Sequence, residues 1–501
     1  FTKKGSFIIS ARKSYLNLIK GAIRLAAVPD YWDFNMKTVY DFDKNTRLSF
    51  VGIGGLDKIS FEGESDEISD ENPYGKARGD QQQFTAGFNL KKLFKKGYWQ
   101  TVLANSTAFL DYTNNDIVTD ALRFKYNSYE SDFNLKTELF YQLNSSNNLI
   151  LGGSARYIKF KNETFYEADT TYFGDPIPEA NINVKDNYYK ASGFAQYTLK
   201  LPGNRVILNA GARVDYFSGI KKNIAASPRF GVSYSLFANT TLSASTGIYY
   251  QSPEYIWLTA DPRNENLKFI QANHFVVGIE HLFTPELRLS IEAYYKDYKN
   301  YPVSTVIPTY VFISSGTDNG PNLMYGEAVS EGKGISRGID FSLHKKLTGN
   351  GFYGMINYSL SDSRVTALKG GERPGSFDYR HNLTIIAGYQ LTNDWLVGLK
   401  FRYTTGRPYT PFDINASTIA GRGVSDFNNF NGARYKDYNR LDLRVDKKWN
   451  FKNLSIVTYV ELQNTFNTEN VYSYFWNEYK NEQGTIYQWK FLPVGGFSIQ
   501  F

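Results

Sequence analysis

The sequence predicts an all-β fold: a membrane-spanning antiparallel up-and-down β-barrel of about 22 strands, with short periplasmic turns and long extracellular loops. Two observations lead to this fold. Apolar and polar side chains alternate along stretches of roughly ten residues, the length of a tilted strand that crosses a bilayer. Aromatic residues are abundant, with 37 Phe, 39 Tyr and 7 Trp, although the mean hydropathy is negative. This combination suits aromatic rims around a polar interior.

The alternation is clear in residues 287–296. The odd-numbered positions of this segment carry the apolar side chains, Leu287, Leu289, Ile291, Ala293 and Tyr295. Because successive side chains of a strand point to opposite faces, the segment has one apolar and one polar face. Strands of a soluble β-sandwich also alternate, but they average about 5–6 residues and their sheets rarely exceed about ten strands. The longer and more numerous segments of this chain favour the barrel.

Residues 1–501 are expected to form a single barrel domain. No run approaches the roughly 18 apolar residues of a membrane-spanning helix. Lipid offers no partner to unpaired backbone groups, so a closed barrel is the remaining way to cross a bilayer.

The connections predict the orientation of the barrel. Short turns such as 284–286 alternate with long connections such as 300–333 and 406–435. Bacterial barrels have short periplasmic turns and longer external loops. We therefore expect an outer-membrane protein whose last strand, Gly496–Phe501, descends to a periplasmic C-terminus.

Charged residues at the polar positions of the alternating strands are predicted to face the lumen. They are Arg213, Asp215, Arg288, Glu292, Lys400, Arg402, Asp442 and Arg444. A closed apolar core would not tolerate such groups unpaired. The lumen is therefore expected to hold water or a polar plug.

Aromatic and cationic residues in the long loops are candidates for ligand binding. They are Tyr255, Trp257, Tyr310, Tyr325, Arg407, Tyr409 and Phe412. Their rings and donors would suit sugars, peptides or metal chelates. An equally supported interpretation is that these loop aromatics pack against one another or against a partner lipoprotein.

Catalysis, cofactors and metals find little support in the sequence. The four histidines show no metal-binding spacing, and cysteine is absent. The net charge of +7 comes without a block of Lys and Arg interleaved with aromatics, so no nucleic-acid partner is expected. The chain is predicted not to be an enzyme and to carry no cofactor or metal.

Several blocks of sequence are similar to those of one protein family. They are Phe7 to Leu16 with Pro29-Asp30-Tyr31, Tyr249 to Pro253, Gly334 to Phe341, Phe377 to His381, Tyr403 to Pro411, Glu461 to Phe466 and Pro493 to Phe501. In order and spacing they resemble TonB-dependent outer-membrane receptors of the Bacteroidetes type, across essentially the whole chain.

The resemblance implies TonB-energised uptake of a bulky nutrient of the siderophore, oligosaccharide or peptide class. It also implies partners: outer-membrane lipid and lipopolysaccharide, TonB, and a plug domain. A surface lipoprotein is a further candidate partner. Nothing before Gly5 could form a plug, so the plug and the TonB-contact segment are expected on an upstream part of the polypeptide.

Two other functions remain open. The chain could be a structural barrel subunit of an outer-membrane secretion or protein-insertion complex, without transport of its own. A barrel of this width without a plug would instead be an open diffusion porin.

Overall fold

The computed structural model describes residues 4–14, 30–61, 76–116, 119–170, 176–177, 179–314, 326–477 and 480–500. Almost all of the regular structure is β-strand. The strands are β1 (Gly5–Lys13), β2 (Asp30–Asp41), β3 (Thr46–Phe61), β4 (Lys76–Phe94), β5 (Gly97–Asn115), β6 (Leu122–Asn144), β7 (Asn147–Tyr166), β8 (Asp169–Thr170), β9 (Pro176–Ile177), β10 (Ala180–Lys200), β11 (Val206–Phe217), β12 (Ile224–Phe237), β13 (Thr240–Gln251), β14 (Ile270–Thr284), β15 (Leu287–Ser304), β16 (Ala328–Lys345), β17 (Phe352–Thr366), β18 (Glu372–Pro374), β19 (His381–Gln390), β20 (Trp395–Thr404), β21 (Pro408–Tyr409), β22 (Ala433–Arg434), β23 (Tyr438–Asn450), β24 (Ser455–Gln463), β25 (Val471–Asn477), β26 (Glu482–Tyr487) and β27 (Leu492–Gln500).

Two short helices lie in long connections: α1 (Tyr255–Ala260) and α2 (Ile414–Ala420). Single 3₁₀ turns occupy Pro202–Asn204, Pro262–Asn266, Phe312–Ser314 and Phe427–Asn429. Among the described residues, no helix is both long and apolar enough to cross a membrane.

The main sheet contains 21 strands in the described part of the chain, close to the 22 expected. Successive long strands pair antiparallel in an up-and-down meander from β1 to β27. β18 is a three-residue return that pairs with β17. The strands β8–β9, β21–β22 and β25–β26 form three small sheets in the long connections. The fold predicted from the alternation is confirmed.

The two ends of the barrel differ as the sequence predicts. At one end, which we call the short-turn end, hairpins such as β14–β15 and β19–β20 close within a few residues. The opposite end, which we call the long-loop end, carries the helices and the small sheets. Where a short turn needs a left-handed backbone, Gly or Asn supplies it, as at Gly203 (φ 78) and Asn204 (φ 54).

The strand register sorts side chains onto two continuous faces. On the apolar face Ile291 lies opposite Ile279 and Phe341, and on the polar face Glu292 lies opposite Gly278 and Asp340. Following the pairing from strand to strand places all eight charged residues named above on the polar face.

Many of the charges on the polar face are paired within that face. Arg213 lies 2.6 Å from Asp215, and Arg444 lies 2.7 Å from Asp446 and 3.3 Å from Glu461. Such pairing removes part of the cost of placing ions on a crowded surface. The buried apolar residues are concentrated at the long-loop end, so the middle of the barrel holds no apolar core within the described residues.

The two faces should respond differently to the same substitution. Ile291→Arg places a cation on the apolar face, and we expect it to lower the free energy of unfolding in lipid vesicles by about 2–4 kcal/mol. Ser290→Arg, the adjacent position on the polar face, is the control and should cost much less. Urea titrations of the two variants measure the difference; equal losses would contradict the assignment of faces.

Candidate functional site

Helix α1 brings aromatic side chains onto the polar face of the wall. Tyr255 stacks on Tyr188 of β10, with ring centroids 5.0 Å apart and planes 14° apart. It also contacts Phe160 of β7 at 5.6 Å and Phe217 of β11 at 6.2 Å. The loop between β13 and β14 is thereby folded back over the end of the barrel and fixed there.

A chain of ring contacts continues from α1 into two further loops. Trp257 meets Phe312 edge-on at 5.9 Å, and Tyr310 contacts Phe312 at 5.7 Å and Phe430 at 5.6 Å. The guanidinium carbon of Arg373 lies 5.0 Å from the Phe430 ring centroid. Aromatic pairs of this kind contribute about 0.5–1.5 kcal/mol beyond burial of their area. We use the name inner aromatic cluster for the loop residues Tyr255, Trp257, Tyr310, Phe312 and Phe430 together with the three wall rings that contact Tyr255.

A buried asparagine joins the loops around the inner aromatic cluster. Asn264 has no exposed surface, and its amide donates to the carbonyl oxygens of Trp257 at 2.7 Å and Gly326 at 3.1 Å. Its side-chain oxygen accepts from the Ala328 amide at 2.8 Å. Arg263 adds an ion pair to Glu327 at 2.9 Å. A buried amide that satisfies three backbone groups holds α1 against the start of β16.

A second group of rings lies between the loop 405–435 and the small sheet β25–β26. The rings of Tyr409, Tyr435 and Tyr474 are 4.4–5.1 Å apart. Arg407 lies 4.7 Å above Tyr435, at a distance that favours a cation–π contact. Nearby, Phe412 meets Trp476 edge-on at 5.9 Å. We call this set the outer aromatic cluster.

The base of the loop 405–435 is held by a buried carboxylate. Asp378, with no exposed surface, accepts from Arg434 and, at 3.2 Å, from Arg380. Its other oxygen accepts from the Ser363 amide at 2.7 Å. Both oxygens of this carboxylate are therefore hydrogen-bonded, and its arrangement is that of a structural clamp rather than of a reactive group.

A lysine lies directly beneath the inner aromatic cluster. Lys190 Nζ donates to Ser252 Oγ at 2.8 Å and lies 4.7 Å from the ring centroids of both Phe217 and Tyr255. Arg156 Nε donates to Asp132 at 3.1 Å on the same face. The loops thus meet the wall at a packed group of rings, with Lys190 among them.

The surroundings of three ionisable side chains in these loops shift their pKa values. The hydrogen bond from Arg263 lowers the pKa of Asp261, which also caps the turn Pro262–Asn266. Burial raises the pKa of the Tyr255 phenol and lowers the pKa of Arg373. Tyr255 therefore stays neutral and Asp261 stays ionised at neutral pH.

The structure places the predicted ligand-binding residues in two groups. Tyr255, Trp257 and Tyr310 are buried, at 7%, 5% and 0% exposure, within the inner aromatic cluster. Arg407, Tyr409 and Phe412 are partly exposed in the outer aromatic cluster. Tyr325 lies outside the described residues. Within those residues, no group of three or more His, Asp or Glu is placed to hold a metal ion.

Sequence reasoning missed several residues of this site. They are Phe160, Tyr188, Lys190, Phe217, Tyr435 and Tyr474. One signal was available, because Tyr188 and Phe217 are large aromatic residues at positions of their strands where the alternation predicts polar residues. An aromatic residue at such a position near the end of a strand indicates that another part of the chain packs over it.

Comparisons with known proteins agree with the fold. The model of the family described as TonB dependent receptor-like, beta-barrel matches residues 15–472. No curated protein matches the chain. Among solved structures, the ferripyoverdine receptor of the outer membrane of Pseudomonas aeruginosa is 14% identical, with a TM-score of 0.72 over 99% of this chain and 67% of that one. The ferric-catecholate import receptor Fiu of Escherichia coli K12 is 13% identical, with a TM-score of 0.69 over 100% of this chain and 78% of that one. At this identity the likeness establishes the fold alone.

If the inner aromatic cluster fixes α1, removing one of its rings should free the loop between β13 and β14 without unfolding the barrel. We expect Trp257→Ala to remove about 3–5 kcal/mol of local packing and to speed amide hydrogen exchange across residues 252–269 by at least ten-fold. Ile419→Ala, at an 88% exposed position on α2, is the control. Unchanged exchange in the Trp257 variant would show that the loop is held by other contacts.

Proposed function

Because the chain belongs to the TonB-dependent receptor-like β-barrel family, we propose that it is the barrel of an outer-membrane receptor that imports a bulky nutrient with energy supplied through TonB. Proteins of this family are transport receptors and not enzymes. The observation that carries the proposal is the outer aromatic cluster, whose partly exposed rings lie beside Arg407 at the long-loop end. A structural subunit of a secretion complex would not need ring faces beside cations at that end.

In this proposal the long-loop end is extracellular and the C-terminus is periplasmic. The contrast between short and long connections supports the orientation. The polar face then lines the lumen, and its charged residues, including the eight named in the sequence analysis, contact water or a plug. The apolar face meets lipid and lipopolysaccharide.

The plug and the TonB-contact segment are proposed to come from another part of the polypeptide. The chain covers 67–78% of the length of the two receptors compared above, which leaves room for such a domain in a full-length protein. The charges of the polar face would bind it through salt bridges and water. The sequence blocks named above support a Bacteroidetes-type receptor, for which a surface lipoprotein is a candidate partner.

The proposed ligand is of the siderophore, oligosaccharide or peptide class. The outer aromatic cluster offers partly exposed rings and the Arg407 guanidinium at the mouth of the barrel. Such groups stack on planar or sugar rings and donate to anionic oxygens. The two solved structures named above are receptors for iron chelates by name, so ferric siderophores are the first class to test.

The proposal is tested by uptake in cells that carry the full-length gene. We expect its deletion to abolish growth on one nutrient from a panel of ferric siderophores, oligosaccharides and peptides, and removal of TonB to have the same effect. Tyr409→Ala/Tyr474→Ala should weaken binding of that nutrient about ten-fold, because two stacking contacts are lost. Tyr487→Ala, on the same small sheet, is the control. Normal growth of the deletion strain on every nutrient, with a secretion defect instead, would favour the structural subunit.

A further inference from the structure

The apolar face of the barrel contains a furrow. It has a volume of about 980 Å³ and lies across β11–β15. Small or compact residues, Ala210, Pro228 and Thr246, form its floor, and the rings of Phe230, Phe275 and Tyr295 flank it. These rings are 41–54% exposed. The furrow therefore lies on the side of the wall that meets lipid in the proposed function.

A break in the sheet accounts for the furrow. Pairing between β12 and β13 extends from their short turn to Arg229 and Gly247, while β12 continues through Pro228 to Ile224. Within the described residues that extension is paired to β11 and not to β13. Proline has no N–H to donate to a neighbouring strand and is found where pairing ends. Above this point the described residues of β12 and β13 are not paired to each other.

Towards the long-loop end the furrow changes from apolar to polar. Gln271 donates to Asn273 at 2.9 Å, and Asn273 donates to Asp297 at 3.1 Å. Lys299 Nζ lies 3.7 Å from Asp297 and is half exposed. The boundary falls between Tyr295 and Asp297, where the band of apolar residues on β15 ends. This is the level expected for lipid headgroups.

Cations accumulate beside this polar end. Lys299 lies directly opposite the exposed Lys333 in the strand register, an arrangement that is unfavourable unless an anion is shared. On the same face, Arg337 of β16 and Arg364 of β17 lie 2.9–3.1 Å from the carboxylate of Asp362. Arg380, which precedes β19, reaches the same carboxylate at 3.0 Å. Arg337 remains 60% exposed. Five cations on neighbouring elements thus face Asp297, Asp362, Glu372 and the buried Asp378 as counter-ions.

We propose that this face binds one lipopolysaccharide molecule, with an acyl chain in the furrow and phosphate groups on the cations around Lys299, Lys333 and Arg337. The inference rests on the outer-membrane location and orientation given by the proposed function. A phosphorylated, multiply acylated glycolipid fits better than a glycerophospholipid, because the cations extend over three strands and match more than one phosphate. Lys and Arg bind phosphate oxygens through charge-assisted hydrogen bonds, and each buried methylene of a chain adds to the affinity.

The test is a titration of the full-length receptor in phosphatidylcholine nanodiscs with bisphosphorylated lipid A, followed by native mass spectrometry. We expect Lys299→Gln/Lys333→Gln to weaken lipid A binding about ten-fold or more. Lys161→Gln/Lys185→Gln is the control, because these lysines are also directly opposed, on β7 and β10, but away from the furrow. Ala210→Trp, which fills an exposed position of the floor, should weaken binding without removing a charge.

Three results would overturn the inference. One is an equal loss in the two lysine variants, which would indicate general electrostatics. Another is full binding by Ala210→Trp, and the third is equal affinity for phosphatidylglycerol. Heat-dependent gel mobility confirms that each variant is a folded barrel. Failure of nutrient uptake in the assay above would refute the proposed function but would leave these lipid affinities unchanged.

Discussion

Backbone hydrogen bonding in lipid is the constraint on which the rest of the structure depends. An amide without a partner in a bilayer is costly, so long strands must pair with both neighbours over the membrane. Once the ladder is formed, side chains have a fixed period of two. Ile291 then shares a face with Ile279 and Phe341, and Glu292 shares the other face with Asp340. Fold, faces and the position of the site all follow from this arrangement.

The same constraint separates the wall from the site. Successive strands of the wall pair antiparallel from β1 to β27, and this regular pairing leaves little room for a binding site. The loops of the long-loop end are outside this sheet and are held instead by a few buried polar groups. Asn264 ties α1 to the start of β16, and Asp378 ties the loop 405–435 to the wall. Ring contacts then join the loops into one structure above the polar face.

The wall could be predicted from the sequence because its signal is local. The alternation of apolar and polar residues in 287–296 is visible in ten adjacent positions, and it can be recognised without knowing which strands lie beside this one. The inner aromatic cluster could not be predicted in the same way, because Tyr255 becomes buried through Phe160, Tyr188 and Phe217, which come from three other strands. The end of the β12–β13 pairing beside Pro228 also depends on which strand lies beside β12. Loop docking and wall defects are properties of the assembled sheet.

Contact of the apolar face with lipid and of the polar face with water can be measured directly. Since the chain contains no cysteine, single cysteines at Leu441, Leu443, Arg444, Val445 and Asp446 can carry spin labels in reconstituted bilayers. We predict high collision rates with oxygen at 441, 443 and 445 and with a water-soluble nickel chelate at 444 and 446, which are partly exposed on the polar face. Uniform accessibility, or the reverse alternation, would contradict this assignment of faces.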